Sequence, residues 1–305
     1  MPQQTRLPRF LVWLGLLLAR LLPVKTAYWL CARIAALLGR RRAPMFTVLR
    51  HNLAHVAPER DAATLDAMAE RGLALALRTY YESFRTTATG GRWAVHMAID
   101  DDCPLFVWAL DHQRSHSAGL MVCGLHVANF DAAGAWLVQR GIEVQALSLA
   151  NPDPGTEMIN ALRRQQGLEV TPIDPSALRT AIRRLRAGGV VLTGIDRPAH
   201  DGNQPVRFFG QVTEMPVGHV RLALQTDAAV LLMVCYEESP GAYRVACSPP
   251  LKMERTGDRQ QDILVNTSRL LALAEEFIRQ APEQWLVFVP VWPADVQPVA
   301  DRSVP

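Results

Sequence analysis

GLMVCGLHVANFDAAGAWLVQRG, residues 119–141, is the stretch whose reading decides the fold. Its first seven residues are a short apolar run of the length of a buried strand. Small and polar residues follow His126, and a helical pattern then carries the chain past Trp136. A strand that turns into a helix is the repeating unit of an α/β fold, and the pattern recurs downstream. Apolar runs at 119–125, 142–149, 168–174 and 190–196 alternate with helical stretches at 130–140, 155–166 and 176–187. This alternation predicts an α/β domain: a central, largely parallel mixed sheet flanked by helices. Residues 228–236 and 243–248 read as a further strand pair around Pro240-Gly241. A last amphipathic helix covers about 259–280, and the Pro-rich tail from Pro293 is expected to fray. Upstream, Leu65, Met68, Leu73, Leu77, Tyr80 and Phe84 recur at helical spacing across 61–86, with Asp61 as the N-cap.

Apolar residues make up 49% of the 305 and charged ones 20%, which supports a sizeable core and argues against wholesale disorder. The five cysteines are scattered, odd in number and free of CxxC. They speak against a disulfide framework or a zinc–thiolate site and fit a reducing compartment. The chain has no GxSxG, P-loop or GxGxxG, so the commonest serine-hydrolase and nucleotide-binding readings fall away. Residues 1–58 carry nine Arg and Lys and no Asp or Glu, while the remainder, with 23 basic and 29 acidic residues, is net acidic. A basic, apolar N-terminus on an acidic body suits an anionic membrane surface. The basic run 40–42 lies beside apolar segments instead of interleaved aromatics, so nucleic acid is not the expected partner.

Two apolar stretches lie in that N-terminal part: FLVWLGLLLARLL at 10–22 and, after Pro23, TAYWLCARIAALL at 26–38. Neither reaches the about 20 residues a spanning helix needs, and no small-residue cleavage site follows the first. The reading favoured is two helices lying in or dipping into the membrane interface, with Trp13, Tyr28 and Trp29 near headgroup level and the arginines snorkelling. The alternative is a helical hairpin packed on the body. The expected organisation is a membrane-associating segment at 1–58, a single α/β domain at 59–293 and a flexible tail at 294–305.

The chemistry gathers at the strand–helix corner. Asp131 stands five residues after His126. On an unbroken helix that offset turns the two about 140° apart, but across a corner at the carboxyl end of a strand they can converge. A carboxylate accepting the Nδ1–H fixes the imidazole tautomer and leaves Nε2 as a general base, typically worth about 10²–10⁴ in rate. His96 and Asp101 share the spacing but run straight into Cys103-Pro104 with no small-residue corner, so His96 reads as a structural or surface residue. His51 and His55 are spaced for two metal ligands on one helix face, yet lack the Glu of HExxH and a third ligand, so no metal site is expected. Cys123, inside an apolar run, reads as core.

At LHVANFDAAG, residues 125–134, the chain resembles the lysophospholipid acyltransferase superfamily, whose motif is His, four residues, then Asp or Glu. More specifically it resembles the bacterial lipid A biosynthesis acyltransferase family, which includes lauroyl and myristoyl transferases and phosphatidylinositol mannoside acyltransferases. Further blocks carry the resemblance in family order: Arg50-His51-Asn52-Leu53 before Pro58-Glu59; Gly194-Ile195-Asp196-Arg197; Val206-Arg207-Phe208-Phe209-Gly210 with Thr213 and Pro216-Val217-Gly218; and Pro282-Glu283-Gln284-Trp285 with Trp292. One departure is Ala128, where the family often has Gly; it leaves the chemistry intact and puts the substrate in question.

The resemblance implies transfer of a fatty acyl chain from an acyl thioester, acyl-CoA or acyl carrier protein, to a hydroxyl of a glycolipid or lipid A-like acceptor, with no other cofactor. It makes His126 the general base and Asp131 its orienting carboxylate. Backbone amides at the 126–131 corner are candidates for binding the oxyanion. Substrate contacts are expected from Asn129, from Arg163 and Arg164 as phosphate binders or as an exposed helix face, and from Asp196 and Arg197 as residues ordering the site. Phe208 and Phe209 pack in the core or wall an acyl tunnel. The expected location is the cytoplasmic face of the inner membrane, peripheral or monotopic. Two rivals stay open: a thioester or lipid hydrolase using the same pair, and a non-catalytic lipid-binding protein.

Overall fold

The computed structural model describes residues 9–90, 95–98, 103–105, 119–199 and 202–293. Four helices come first: α1 (Arg9–Leu21), α2 (Val24–Arg40), α3 (Pro44–Val56) and α4 (Ala62–Ala88). Pro23 precedes α2 and Pro44 opens α3, positions where a missing N–H costs nothing because the first helical amides have no partner in their own helix. Asp61 caps α4 by accepting the Thr64 N–H at 2.7 Å. The 27-residue α4 is the spine against which α1, α2 and α3 all pack.

Helices α1 and α2 each bury a narrow stripe against α4, Val12 and Ala19 on one and Ala27, Cys31 and Ala35 on the other. Their opposite faces leave Phe10, Trp13, Leu17, Leu21, Trp29, Ile34 and Leu37 exposed. Among the described residues no helix is long and apolar enough to cross a membrane.

The remaining chain forms the expected mostly parallel mixed sheet with its flanking helices. The strands are β1 (His96–Ala98), β2 (Leu120–Gly124), β3 (Val144–Ser148), β4 (Glu169–Pro172), β5 (Val190–Gly194), β8 (Ala229–Ser239) and β9 (Ala242–Cys247), in the order β1-β9-β8-β2-β5-β3-β4. From β8 to β4 all pairs are parallel; β9 runs antiparallel to β8, and β1 parallel to β9. Helices α5 (Phe130–Gln139), α6 (Pro154–Gln165), α7 (Pro175–Arg186), α8 (Gly218–Thr226) and α9 (Arg259–Gln280) connect and flank them. Strand β2 lies at the centre. Its residues Leu120, Met121, Val122 and Cys123 are all fully buried, which is why it reads as an unbroken apolar run instead of an alternating one.

The sequence reading does not foresee α3, β1 or α8, nor a hairpin near the site. Strands β6 (Asn203–Phe208) and β7 (Gln211–Pro216) form a separate antiparallel hairpin. Its two-residue turn places Phe209 at φ 49° and Gly210 at φ 75°, both in the left-handed region that such turns require. A phenylalanine is held there by its surroundings: its N–H donates to Glu275 Oε1 at 2.6 Å, and its ring joins Phe208, Trp285 and Trp292 in one aromatic cluster. Phe208 and Phe209 are thus core residues.

The same cluster anchors the C-terminal segment. Asn52 donates to the Val287 and Val289 carbonyls, both at 2.9 Å, and accepts the Val291 N–H at 3.1 Å. The Thr213 hydroxyl donates to the Val291 carbonyl. His51 Nε2 meets the Trp292 carbonyl at 2.9 Å, and His55 stacks on the Trp292 ring. The blocks that read as separate motifs along the sequence converge on residues 285–292.

Candidate active site

Strands β2 and β5 are neighbours, with Gly124 opposite Gly194. Two residues beyond each, at the carboxyl edge where open α/β sheets bind ligands, stand His126 and Asp196. His126 Nδ1 lies 2.6 Å from Asp196 Oδ1, and the His126 backbone N–H donates to Asp196 Oδ2 at 2.7 Å. The Trp285 indole N–H also donates to Oδ2, at 2.8 Å. Asp196 is fully buried, whereas the His126 side chain keeps 18% of its surface open. Burial alone pushes the Asp196 carboxyl up. The His126 ring, its hydrogen bonds and the indole N–H outweigh that and hold it below the usual carboxylate value. An ionised carboxylate on Nδ1 puts the ring proton there and leaves Nε2 as an acceptor.

The ring has little room to move. A Cβ at Gly194 would stand 2.7 Å from His126 Cε1, so the imidazole occupies the space that glycine leaves. Phe130 packs edge-on against the ring, its centroid 5.0 Å away. The corner after His126 is pinned by the C-terminal segment: Leu286 N–H donates to the His126 carbonyl at 2.7 Å and Ala128 N–H to the Gln284 carbonyl at 2.9 Å. Ala128 itself sits at φ 44°. The chain must turn left-handed here, which accounts for a preference for glycine at this point. Asn129 ends the corner. Its Oδ1 accepts the Ala132 N–H at 3.0 Å and caps α5, and its Nδ2 donates to Glu82 Oε2 at 2.8 Å.

Asp131 is not the carboxylate on His126, contrary to the reading from spacing. It lies in the first turn of α5, where Arg163 of α6 grips it with two hydrogen bonds, Nε to Oδ1 at 2.9 Å and Nη2 to Oδ2 at 3.1 Å. The helix begins at Phe130 and carries Asp131 round toward α6, while strand register delivers Asp196 to the histidine. Arg163 also donates to Asn160 Oδ1 at 2.9 Å. Arg164, one residue further round α6, pairs with Glu157 at 2.8 Å and with the Val170 carbonyl at 2.9 Å, away from Asp131. Arg197 follows Asp196, is partly buried, interacts electrostatically with Asp196 first and then with Tyr80 and Arg163, and makes no hydrogen bond or ion pair among the described residues. The amides of His126, Val127 and Ala128 are all engaged within the protein, so they are not donors to an oxyanion.

Other candidates fall outside the site. His96 is exposed on β1, and Asp101 lies outside the described residues. Cys123 is buried in β2, and burial pushes its thiol well above the ordinary value. Two contributors escaped the sequence reading, Trp285 as a donor to Asp196 and Glu82 as partner of Asn129. A signal for Glu82 exists: it falls seven residues after the buried Leu75, on the apolar stripe of α4.

The family model of bacterial lipid A biosynthesis acyltransferases matches residues 2–293. A phosphatidylinositol mannoside acyltransferase of Mycobacterium tuberculosis (strain CDC 1551 / Oshkosh) is 29% identical over 255 residues, which cover 81% of this chain and 77% of that protein. The protein of the same name from Mycolicibacterium smegmatis is 29% identical over 256 residues, covering 81% and 80%.

Proposed function

Starting from the bacterial lipid A biosynthesis acyltransferase family, to which this chain belongs, we propose that it transfers a fatty acyl chain from an acyl thioester to a glycolipid hydroxyl at a membrane surface, with His126 as general base. The observation that carries the reading is the His126–Asp196 pair at the open edge of the sheet, with Nε2 turned outward. Nε2 takes the proton of the acceptor hydroxyl as its oxygen attacks the thioester carbonyl. The tetrahedral intermediate then collapses to the new ester, and the thiolate leaves with the proton returned by the imidazolium. Asp196 supports that imidazolium throughout. The backbone N–H groups of Phe130 and Asp131, in the first turn of α5, have no partner within their own helix and are the candidates to receive the oxyanion.

Arg197 suits a phosphate on the acceptor or on the pantetheine arm of the donor, since its guanidinium makes no hydrogen bond among the described residues and its neighbour Asp196 is engaged by His126 and Trp285. Arg163 contributes by holding Asp131 and Asn160 in place. The relatives' name supports a phosphatidylinositol mannoside as acceptor, and the donor is acyl-CoA or acyl carrier protein. The exposed apolar faces of α1 and α2, flanked by Arg20, Lys25 and Arg33, support docking on an anionic membrane at the cytoplasmic face of the inner membrane.

The test is His126→Ala with membranes and a radiolabelled acyl thioester, CoA-linked and carrier-linked in parallel. Loss of labelled lipid is expected, and undiminished transfer would sink the reading. Free fatty acid without labelled lipid from the unaltered protein would instead favour a hydrolase.

A further inference from the structure

A fully buried carboxylate lies outside the chemistry described above. Glu82 of α4 is fully inaccessible, and three donors from three other elements converge on it. Tyr28 of α2 donates its hydroxyl to Oε1 at 2.5 Å. Tyr243 of β9 donates to Oε2 at 2.6 Å, and Asn129 donates to the same oxygen through Nδ2 at 2.8 Å. Three donors on two oxygens favour the ionised carboxylate, against burial, which pushes the Glu82 carboxyl above its ordinary value. Burying a charge costs free energy, and the three hydrogen bonds offset part of that cost. Of the three partners, Asn129 belongs to the corner that carries His126. Its amide is held at both ends, by Glu82 at Nδ2 and by the Ala132 N–H at Oδ1. Directly before it stands Ala128 in a left-handed conformation that an L residue holds only when its surroundings enforce it.

We infer that Glu82 is a positioning residue for acyl transfer: it fixes Asn129, and through Asn129 the left-handed corner bearing His126, and through Tyr28 it ties that corner to helix α2. The inference rests on the reading of His126 as the general base. Its consequence is mechanical. Trp29, Ile34 and Leu37 are exposed on α2, the helix that Tyr28 fastens to Glu82. The face proposed to meet lipid and the base that deprotonates the lipid hydroxyl are therefore joined through one carboxylate, so the base is held at a set position relative to that face.

The test is a double-mutant cycle of Glu82→Gln and Asn129→Ala, assayed with palmitoyl-CoA or palmitoyl carrier protein, whichever the unaltered enzyme uses, and membranes as the acceptor source. Glu82→Gln keeps the shape but presents an NH2 to one set of donors. It is expected to lower kcat on the order of tenfold to a hundredfold by loosening the base, with KM for the donor within about twofold. In the Asn129→Ala background the same change is expected to add nothing further to the loss in kcat, because its route to His126 is already cut. Multiplying effects, or a kcat in Glu82→Gln within about twofold of the unaltered enzyme, would overturn the inference. If Glu82→Gln gives no cooperative melting transition, Tyr243→Phe replaces it in the same cycle, with the same non-additive result expected and a multiplicative one overturning it. His126→Ala separates the two readings: full transfer in that variant rejects the base itself, whereas loss there together with an unaffected Glu82→Gln rejects only the positioning role.

Discussion

Replacing Asp196 by asparagine keeps the outline of the side chain and changes which atom of His126 carries the ring proton. Two donors, the His126 N–H at 2.7 Å and the Trp285 indole N–H at 2.8 Å, point at Oδ2. The amide of Asp196→Asn will therefore turn its oxygen to those two donors and its NH2 to His126 Nδ1. Nδ1 then accepts, the ring's single proton moves to Nε2, and Nε2 has no lone pair for the acceptor hydroxyl. Losing a general base costs about 10²–10⁴ in rate, or about 2.7–5.4 kcal/mol of transition-state stabilisation at about 1.36 kcal/mol per decade. The assay is the initial rate of acyl transfer at saturating donor and acceptor, with thermal melting as a control for folding. The loss should fall on kcat, because Asp196 is buried behind the histidine and presents no surface to substrate. Asp131→Asn is the contrasting variant. It weakens the grip of Arg163 but leaves the tautomer alone, so its loss in kcat should be the smaller. Its cost in stability should be about 1.5–3 kcal/mol, since that bidentate pair is mostly buried, 23% and 21% exposed. If Asp196→Asn kept kcat within about threefold while Asp131→Asn lost a hundredfold, Asp131 would be the carboxylate that serves His126 in the working enzyme, and the tautomer argument would be refuted.

Three further outcomes follow from single contacts. Gly194→Ala would place a Cβ 2.7 Å from His126 Cε1 and 3.5 Å from both ring nitrogens. Carbon atoms pack at about 3.5–4.0 Å, so the ring must move by about 1 Å and kcat should fall on the order of a hundredfold; unchanged kcat would show that the ring does not work from this position. Ala128→Gly should leave stability unchanged or raise it by up to about 1 kcal/mol in denaturant unfolding, because relief of the left-handed backbone, about 1–2 kcal/mol, exceeds or balances glycine's larger unfolded-state entropy. His219, buried in the first turn of α8 with no partner for Nε2 among the described residues, has its pKa lowered by burial from 6.5 to about 4. The unfolded chain then binds the extra proton between those values. The stability from neutral His219 is complete above about pH 6.5 and declines as pH falls, by about 2 kcal/mol at pH 5. Unfolding midpoints of His219→Leu should lack that slope, and identical slopes in both proteins would contradict the assignment.

The parallel strands could be read from the sequence because β2 and β8 are buried on both faces and spell continuous apolar runs bounded by turns. The hairpin β6–β7 could not. Prolines at 205 and 216 interrupt its alternation, and its turn is Phe209-Gly210, without the Asn-Gly or Asp-Gly that signals such a turn. Only tertiary contacts, the aromatic cluster and Glu275, make that turn tenable. His126 was legible from its strand–helix corner. Its carboxylate was not, because the choice between Asp131, five residues away, and Asp196, seventy away, depends on β5 lying next to β2. Local pattern carries no information on strand order. Asp196 and Arg197 could be placed on the correct side of the sheet, but not within reach of a particular atom.

The division of labour between the two carboxylates has an electrostatic reason. His126 must take up a proton during the reaction, and any fixed positive charge nearby raises the cost of the imidazolium. Arg163 and Arg197 stand close enough to perturb one another. Asp131 cancels the first of them through a bidentate pair, while Arg197, free of hydrogen bonds among the described residues, stays available to an anionic substrate. Asp196, buried against the ring, supplies the negative charge that the imidazolium itself needs. On this reasoning Asp131→Asn does more than loosen α6. It leaves the Arg163 guanidinium uncompensated beside Arg197, so the smaller loss of kcat in that variant should lessen at higher ionic strength, which screens a partly exposed charge. Asp196→Asn, whose defect is the wrong tautomer, should show no such recovery.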